Sequence, residues 1–189
     1  MIHFSSPEKQ PTRPLDGICG LSGRGFTSSA STDFGRDCWE HLERFVSPGP
    51  PISRDACLAE WRRRLAQGEH VFTRVEDGRL VSYGWLLERQ KVSRLGWTHQ
   101  TLTLPDRSAV IYDFYTLPEY RNRDFYQRLL MHVVHEAGRI PETRWVYVGA
   151  RGDDTVPRWW VERLGFSYCD SYFRERVLWR EKKWQAVTP

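Results

Sequence analysis

Residues 108–150 limit the possible folds more than any other stretch. SAVIYDFYTL (108–117) is apolar and β-branched enough for a buried strand, and Pro118 breaks it. The helix that follows, over about 119–138, sets Phe125, Leu129 and Val133, with Tyr126, Leu130, Val134 and Ala137, on one broad apolar face that ends at Gly138. RWVYVGA (144–150) is a strand again. A strand, a helix and a strand in this order lay the helix on a face of a mixed sheet. RWWVERLG, ending at Gly165, adds a second helix, and FSYCDSYFRERVLW alternates as a final strand or hairpin.

Upstream the period is two. HVFTRVEDGRLVSYGWLLER reads as a hairpin around Asp77-Gly78, and Gly84 inside its second strand marks a bulge or a close backbone approach. KVSRLGWTHQTLTL adds irregular or edge-strand material. Asp33 is the expected cap of a helix running through Trp39, Leu42, Phe45 and Val46, which SPGPPIS stops. Ser53 caps a second helix, RDACLAEWRRRLAQG, closing at Gly68. Residues 1–31, rich in Ser, Gly, Pro and Thr, read as an extended arm or a loop on the body, and residues 32–189 as a single domain. This order demands a mixed sheet with helices on its faces.

Charge narrows the partners. The chain has 24 arginines and 4 lysines for a net +4, but Asp153, Asp154, Glu162 and Glu175 are interleaved with them, so no stripe for nucleic acid forms. Cys19, Cys38, Cys57 and Cys169 lack CxxC spacing, and the histidines bring no cluster to them, so reduced thiols and no metal are expected. No apolar run is long enough for a membrane span, and MIHFSSPEKQPTRPLDG has no apolar signal core, which makes a cytoplasmic protein the expectation.

Three local signatures, in order over about residues 70–180, resemble the GCN5-related N-acetyltransferase (GNAT) superfamily. They are IYDFYTLPEYRNRDFYQRLL, VYVGARGDD and WWVERLGF. The resemblance implies an α/β (α+β) fold, a GNAT-like mixed, mostly antiparallel twisted sheet with helices on both faces. It also implies an acyltransferase that moves an acetyl or other acyl group from acyl-CoA to an amine, or a hydroxyl, of a small molecule or sugar by direct attack. An acyl carrier protein in place of coenzyme A, or a non-catalytic GNAT-like binding module, are the alternatives, and a homodimer is compatible with either.

The family places the cofactor's pyrophosphate at the start of the helix, where free N–H groups and the dipole face an anion. Carried over position by position, the cofactor-binding set is Tyr115, Thr116 and Leu117 at the strand end, then Arg121, Asn122, Arg123, Asp124, Phe125 and Tyr126, with Asp154 in the later turn. Arg128 adds charge to the same entrance. Two departures stand out: Asp124 and Tyr126 occupy positions the family gives to Gly and to Gly or Ala. Asp124 also suits a first helical turn with no ligand at all. Asp154, like Asp153, is either a contact to the cofactor arm or a helix cap.

For chemistry, Asp113 is the candidate base, because a carboxylate in an apolar strand needs a partner or a task. A salt bridge to an arginine is its other reading. The family's thiolate acid, a Tyr four residues before the Gly of the LGF ending, is Val161 here, leaving Tyr168 and Tyr172 as candidates or as packed aromatics. Glu119 and His99 are lesser candidates, and His132 and His135 are assigned to the helix surface. Trp85, Trp97, Trp159 and Trp160 are read either as the lining of an acceptor groove or as core.

Overall fold

The computed structural model describes residues 16–22, 33–48, 52–95, 100–151, 161–162, 164–177 and 180–186. They form one eight-stranded sheet in the order β2-β3-β4-β5-β6-β1-β7-β8. The strands are β1 (Asp16–Ser22), β2 (Gly35–Arg36), β3 (His70–Glu76), β4 (Arg79–Leu95), β5 (Gln100–Thr116), β6 (Trp145–Arg151), β7 (Ser167–Val177) and β8 (Arg180–Ala186). Every neighbouring pair is antiparallel except β5 and β6. Between those two runs helix α3 (Phe125–Arg139), as the crossover that joins parallel neighbours. Helices α1 (Trp39–Leu42) and α2 (Arg54–Ala66) precede β3.

The period-two strands split their side chains between two cores. Phe72, Leu86, Ala109 and Ile111 meet Leu129, Leu130, Val133 and Ala137 of α3 on one face. Val71, Tyr83 and Trp85 meet Leu42 and Phe45 of the α1 region and Trp61 of α2 on the other. The mixed, mostly antiparallel sheet with helices on both faces is therefore the observed fold.

Local signals produce these elements where the chemistry is short-range. Asp77 and Gly78 both take positive φ, 48° and 75°, as a two-residue hairpin turn requires. Ser53 accepts from Ala56 N at 3.4 Å, capping α2, and Gly68 turns the chain out at φ 81°. Several expectations change. Asp33 is not the cap of α1: the helix begins only at Trp39 and its cap residue Cys38 makes no side-chain cap bond, while Asp33 accepts from Arg128 of α3. Val46, expected on the apolar face of that helix, lies beyond its end and is exposed. Gly138 lies inside α3 and does not end it, because Arg139 is still helical and Ile140 makes the extended exit. KVSRLGWTHQTLTL holds edge-strand material as expected: β4 runs to Leu95 and β5 starts at Gln100, and Val92–Leu95 pair with Gln100–Thr103 beyond the reach of β3 and β6.

Within the stretch read as an arm, Asp16–Ser22 forms β1, paired antiparallel with β6 on one side and β7 on the other. The final strand or hairpin is β7 and β8, paired from Ser171↔Ala186 to Val177↔Arg180.

His132 corrects the assignment of the helix histidines to the surface. It is 9% exposed, wedged between the rings of Phe34 (5.2 Å) and Phe72 (5.3 Å), and its Nδ1 is buried with no hydrogen-bond partner among the described residues. Burial, the largest cause, and His135 push its pKa below the ordinary value, against an opposing pull from Glu136. The unfolded chain then takes up the proton first as pH falls. The neutral ring's contribution is complete above about pH 6.5 and is lost as pH falls from there toward the folded value. His132→Leu is expected to flatten the fall in melting temperature between neutral and mildly acidic pH. An unchanged slope in that variant would assign the acid sensitivity elsewhere.

Candidate active site

The two neighbours of β5 part from it at the same place. On one side Ser108–Ile111 pair in parallel with Trp145–Val148, and there the ladder ends. Beyond it β6 continues through Gly149, Ala150 and Arg151, paired with β1 alone. On the other side the register with β4 slips: Trp85 faces Tyr112, but Tyr83 faces Tyr115. One residue of β4, Gly84, thus opposes two of β5, Asp113 and Phe114, which is a β-bulge. Both readings of Gly84 hold, because a Cβ there would also stand 2.6 Å from Phe114 Cε1.

The bulge decides which face of the sheet residue 113 turns to. Strict alternation from Ile111, which lies in the α3-side core, would turn residue 113 into that core. The inserted residue resets the count. Tyr112 packs on the α2 side, Asp113 reaches α2 as well, and Phe114 takes the inward place against Tyr126 of α3 (ring centroids 5.6 Å). Asp113 adopts φ 51°, a left-handed conformation uncommon outside Gly, Asn and Asp.

Asp113 Oδ2 accepts from Arg64 Nη1 at 2.7 Å, and its Oδ1 has no hydrogen bond among the described residues. The Arg64 guanidinium lies over the rings of Trp85 (5.0 Å) and Tyr112 (5.3 Å) and donates from Nε to Glu60 Oε1 at 3.0 Å. Tyr112 donates to Glu69, whose backbone N donates back to Arg64 O at 3.1 Å. Burial disfavours the charge on Arg64, but Tyr112, Asp113 and the hydrogen bonds to Asp113 and Glu60 outweigh it and raise its pKa. Hydrogen bonding from Arg63, then Arg64, holds Glu60 down at about 2 against burial. Burial first, then Asp113, raises the Cys57 thiol, so it stays protonated beside the cluster.

Four residues past the bulge, Leu117 N donates to Val81 O at 2.9 Å and the strand ends. Pro118–Arg123 form a 3-10 turn, and Asp124 links it to α3 at φ 57°, ψ 10°. Asp124 thus holds, without a glycine, the left-handed backbone that a glycine would supply there. Its carboxylate makes no cap bond. The first intrahelical bond runs from Arg128 N to Asp124 O (2.9 Å), and the N-terminal end of the helix faces out of the 3-10 turn. Tyr126 does not obstruct this entrance, because its ring is turned onto Phe114. The arginines divide. Arg121 Nε reaches Thr116 O at 3.3 Å, at the mouth of the split, whereas Arg128 is engaged by Asp33 on the other flank of α3.

The sequence candidates separate accordingly. Asp113, Tyr115, Thr116, Leu117, Arg121, Asp124, Phe125 and Tyr126 follow one another along the split and its helix. Asn122 and Arg123 lie in the 3-10 turn, their side chains outside the described residues, as is all of Asp154. Tyr168 and Tyr172 lie on β7 opposite Cys19 and Asp16 of β1, with side chains also outside that set. Three strand spacings separate β7 from β5, about 14 Å. Val161 is core, and Glu119 pairs with Arg79 at 3.3 Å. Trp85 is fully buried beneath Arg64 and lines no open groove, while Trp97, His99, Asp153, Trp159 and Trp160 fall outside the described residues.

Arg64 is the participant that sequence reading missed. The available signal was its place in the stripe Cys57, Trp61, Arg64, the inward face of α2. A polar recess of about 240 Å³ lies at the far end of α3, lined by Arg36, Glu88, Glu136 and Arg139. Those charges pair with one another.

The model of the acetyltransferase (GNAT) family matches residues 36–166. Among solved structures, a GNAT-family protein from Novosphingobium aromaticivorans superposes with TM-score 0.54 at 16% identity, over 82% of this chain and 60% of its own. A tandem GNAT protein from the clavulanic acid biosynthesis pathway gives 0.53 at 16% identity, over 93% and 54%. An acetyltransferase of the GNAT family from Colwellia psychrerythraea gives 0.50 at 8% identity, over 83% and 55%. At such identities the likeness is one of fold, and this chain spans only 54–60% of those longer chains. No curated protein matches the sequence.

Proposed function

The chain belongs to the acetyltransferase (GNAT) family, and from that premise we propose that it moves an acetyl or other acyl group from acyl-CoA to an amine of a small molecule. The observation that carries this reading is the split between β5 and β6, which among the described residues leaves the β5 backbone from Tyr112 to Tyr115 without a β6 partner and leads to the N-terminus of α3. A pantetheine arm, itself a chain of amides, suits such an unpaired edge, and a pyrophosphate suits the helix start.

The thioester brings an activated acyl carbon; the residues do the rest. Asp113, with Oδ1 free, takes the proton from the acceptor's ammonium, directly or through water. As the N–C bond forms and the C–S bond breaks, the proton shed by the acylated nitrogen passes to the departing thiolate, directly, through water, or by way of Tyr168 or Tyr172 on β7. The first-turn amides and Arg121 hold the phosphates, with Arg123 as the neighbouring charge. Asp124 is the one unfavourable group, a carboxylate at the pyrophosphate's place, and it favours a second reading in which an acyl carrier protein presents a pantetheine arm without the adenosine pyrophosphate.

Calorimetric titration with acetyl-CoA and with pantetheine separates these. Acetyl-CoA is expected to bind at least tenfold more tightly than pantetheine, and Arg121→Ala to erase most of that difference. Asp124→Gly is expected to tighten acetyl-CoA about fivefold by removing one nearby like charge, worth about 1 kcal/mol. It should also raise the melting temperature by a few degrees through relief of the left-handed backbone. Equal affinity for the two ligands favours the carrier protein, and binding of neither defeats both enzyme readings.

A further inference from the structure

We propose that Arg64 is the positioning residue of this enzyme, the group that holds the Asp113 carboxylate at the mouth of the split with one oxygen engaged and the other presented to the acceptor. The inference rests on the acetyltransferase reading above but concerns a different element, the helix α2 on the opposite side of the bulge. The family signatures do not include that helix.

Three observations carry it. First, the bulge alone does not orient the carboxylate. It brings Asp113 to the α2 face in a left-handed conformation, where the side chain is still 34% exposed and without a neighbour on its own strand that binds it. Among the described residues its hydrogen-bond partner is Arg64, at 2.7 Å through Oδ2.

Second, Arg64 is itself fixed on every side. Trp85 and Tyr112 lie against its plane, Glu60 accepts from Nε, and its side chain is only 17% exposed. Tyr112 is tied in turn to Glu69 at the end of α2. A planar fork gripped between rings and carboxylates imposes a direction on its partner that a flexible ammonium does not.

Third, the arrangement wastes a polar stripe position unless it has a task. Cys57 and Trp61 on the same face of α2 bury apolar surface, and a leucine or methionine at 64 would extend that packing over Trp85. An arginine there instead serves the one carboxylate that the bulge turns toward it. The other ionisable groups around Asp113 are Cys57 on α2 and Tyr83 on β4, both raised in pKa chiefly by burial, with Tyr112 beside it on β5. None of these three carries a charge near neutral pH, which leaves Arg64 as the charged group in contact with Asp113 among the described residues.

The test uses the full chain, acetyl-CoA and three amine probes of different shape: spermidine, glucosamine and a short peptide with a free N-terminus. Thiol release is followed with wild type, Arg64→Met, Arg64→Lys, Asp113→Asn and the Arg64→Met/Asp113→Asn double variant. With the best probe, Arg64→Met is expected to lower kcat at least thirtyfold while the acetyl-CoA Kd stays within twofold. Arg64→Lys should recover part of the loss and keep the fold should the methionine variant melt early. In the Asp113→Asn background, Arg64→Met should add less than twofold, because the two act as one unit. Losses that multiply, or an Arg64→Met enzyme within threefold of wild type, overturn the inference and leave the acetyltransferase reading standing. Wild type that transfers to none of the probes defeats that reading, and the inference falls with it.

Discussion

The Gly84→Ala protein is expected to unfold several degrees below the wild type, a large effect for one methyl group. The added Cβ would stand 2.6 Å from Phe114 Cε1 and 2.8 Å from Cδ1 and Cζ, distances at which something must move. The ring is not a loose end. Phe114 packs against the α3-side core and on Tyr126, so displacing it disturbs both. Overpacking of this kind costs about 1–3 kcal/mol, or roughly 2–10 °C in a chain of this size. Thermal unfolding checks it, and a paired experiment identifies the cause. In a Phe114→Ala background the same glycine change should cost less than about 0.5 kcal/mol, since the ring it strikes is gone. If Gly84→Ala is equally harmful there, the strain lies in the backbone and not in the contact. The functional consequence is larger than the stability loss. The bulge that Gly84 permits is what turns Asp113 toward α2, so a slip of one residue would aim the carboxylate into the α3-side core.

What could be read in advance was what depends on a few adjacent residues. Asp77-Gly78 announce a left-handed turn, Ser53 a side-chain cap and Gly84 a bulge or a close approach, and each is where its chemistry requires. The α3 stripe was readable because its period is helical over four turns. The misses have the opposite character. β1 reads as loop because Gly17 and Gly20 interrupt any alternation, and its place between β6 and β7 is decided by partners more than a hundred residues away. Asp33 looks like a helix cap because Asp usually is one; here Arg128 and Arg74, far along the chain, claim it. His132 fits a polar position by type but falls between Phe34 and Phe72, a contact no local pattern foretells. At the site, Asp113 was visible as a charge in an apolar strand, whereas Arg64 was hidden in the run Arg62-Arg63-Arg64, whose three members face different ways: Arg62 onto Trp39, Arg63 onto Glu60 and Arg64 inward. The glycine rule for the helix start misled in an instructive way. Asp124 breaks the motif in sequence and keeps it in conformation, because aspartate is among the few residues that tolerate the left-handed region.

Asp113→Asn should lower kcat by about 10²–10⁴, the range that loss of a positioned base produces, with acetyl-CoA affinity little changed. The amide is nearly the same size as the carboxylate and can still accept from Arg64 through its carbonyl oxygen, so the geometry of the bulge should persist. What disappears is the capacity to take a proton. A fall in melting temperature is also expected, but a small one. The ion pair with Arg64 is partly open to solvent on the Asp113 side, and such pairs contribute at most about 1 kcal/mol. The combination of outcomes distinguishes two roles that geometry alone leaves equivalent. If Asp113 only satisfies the buried guanidinium of Arg64, asparagine should cost stability and leave kcat near wild type with whichever amine probe serves best. If Asp113 is the base, the rate should collapse while the protein remains folded and still binds acetyl-CoA. Asp113→Glu sharpens the distinction. The longer arm keeps the charge for Arg64 but carries its oxygens about 1.5 Å further from the split, a displacement of the size that costs about 10²-fold when a reacting group is misplaced. A glutamate enzyme as fast as wild type would argue against a proton acceptor held in one place, and with it against the tie from α2 across the bulge.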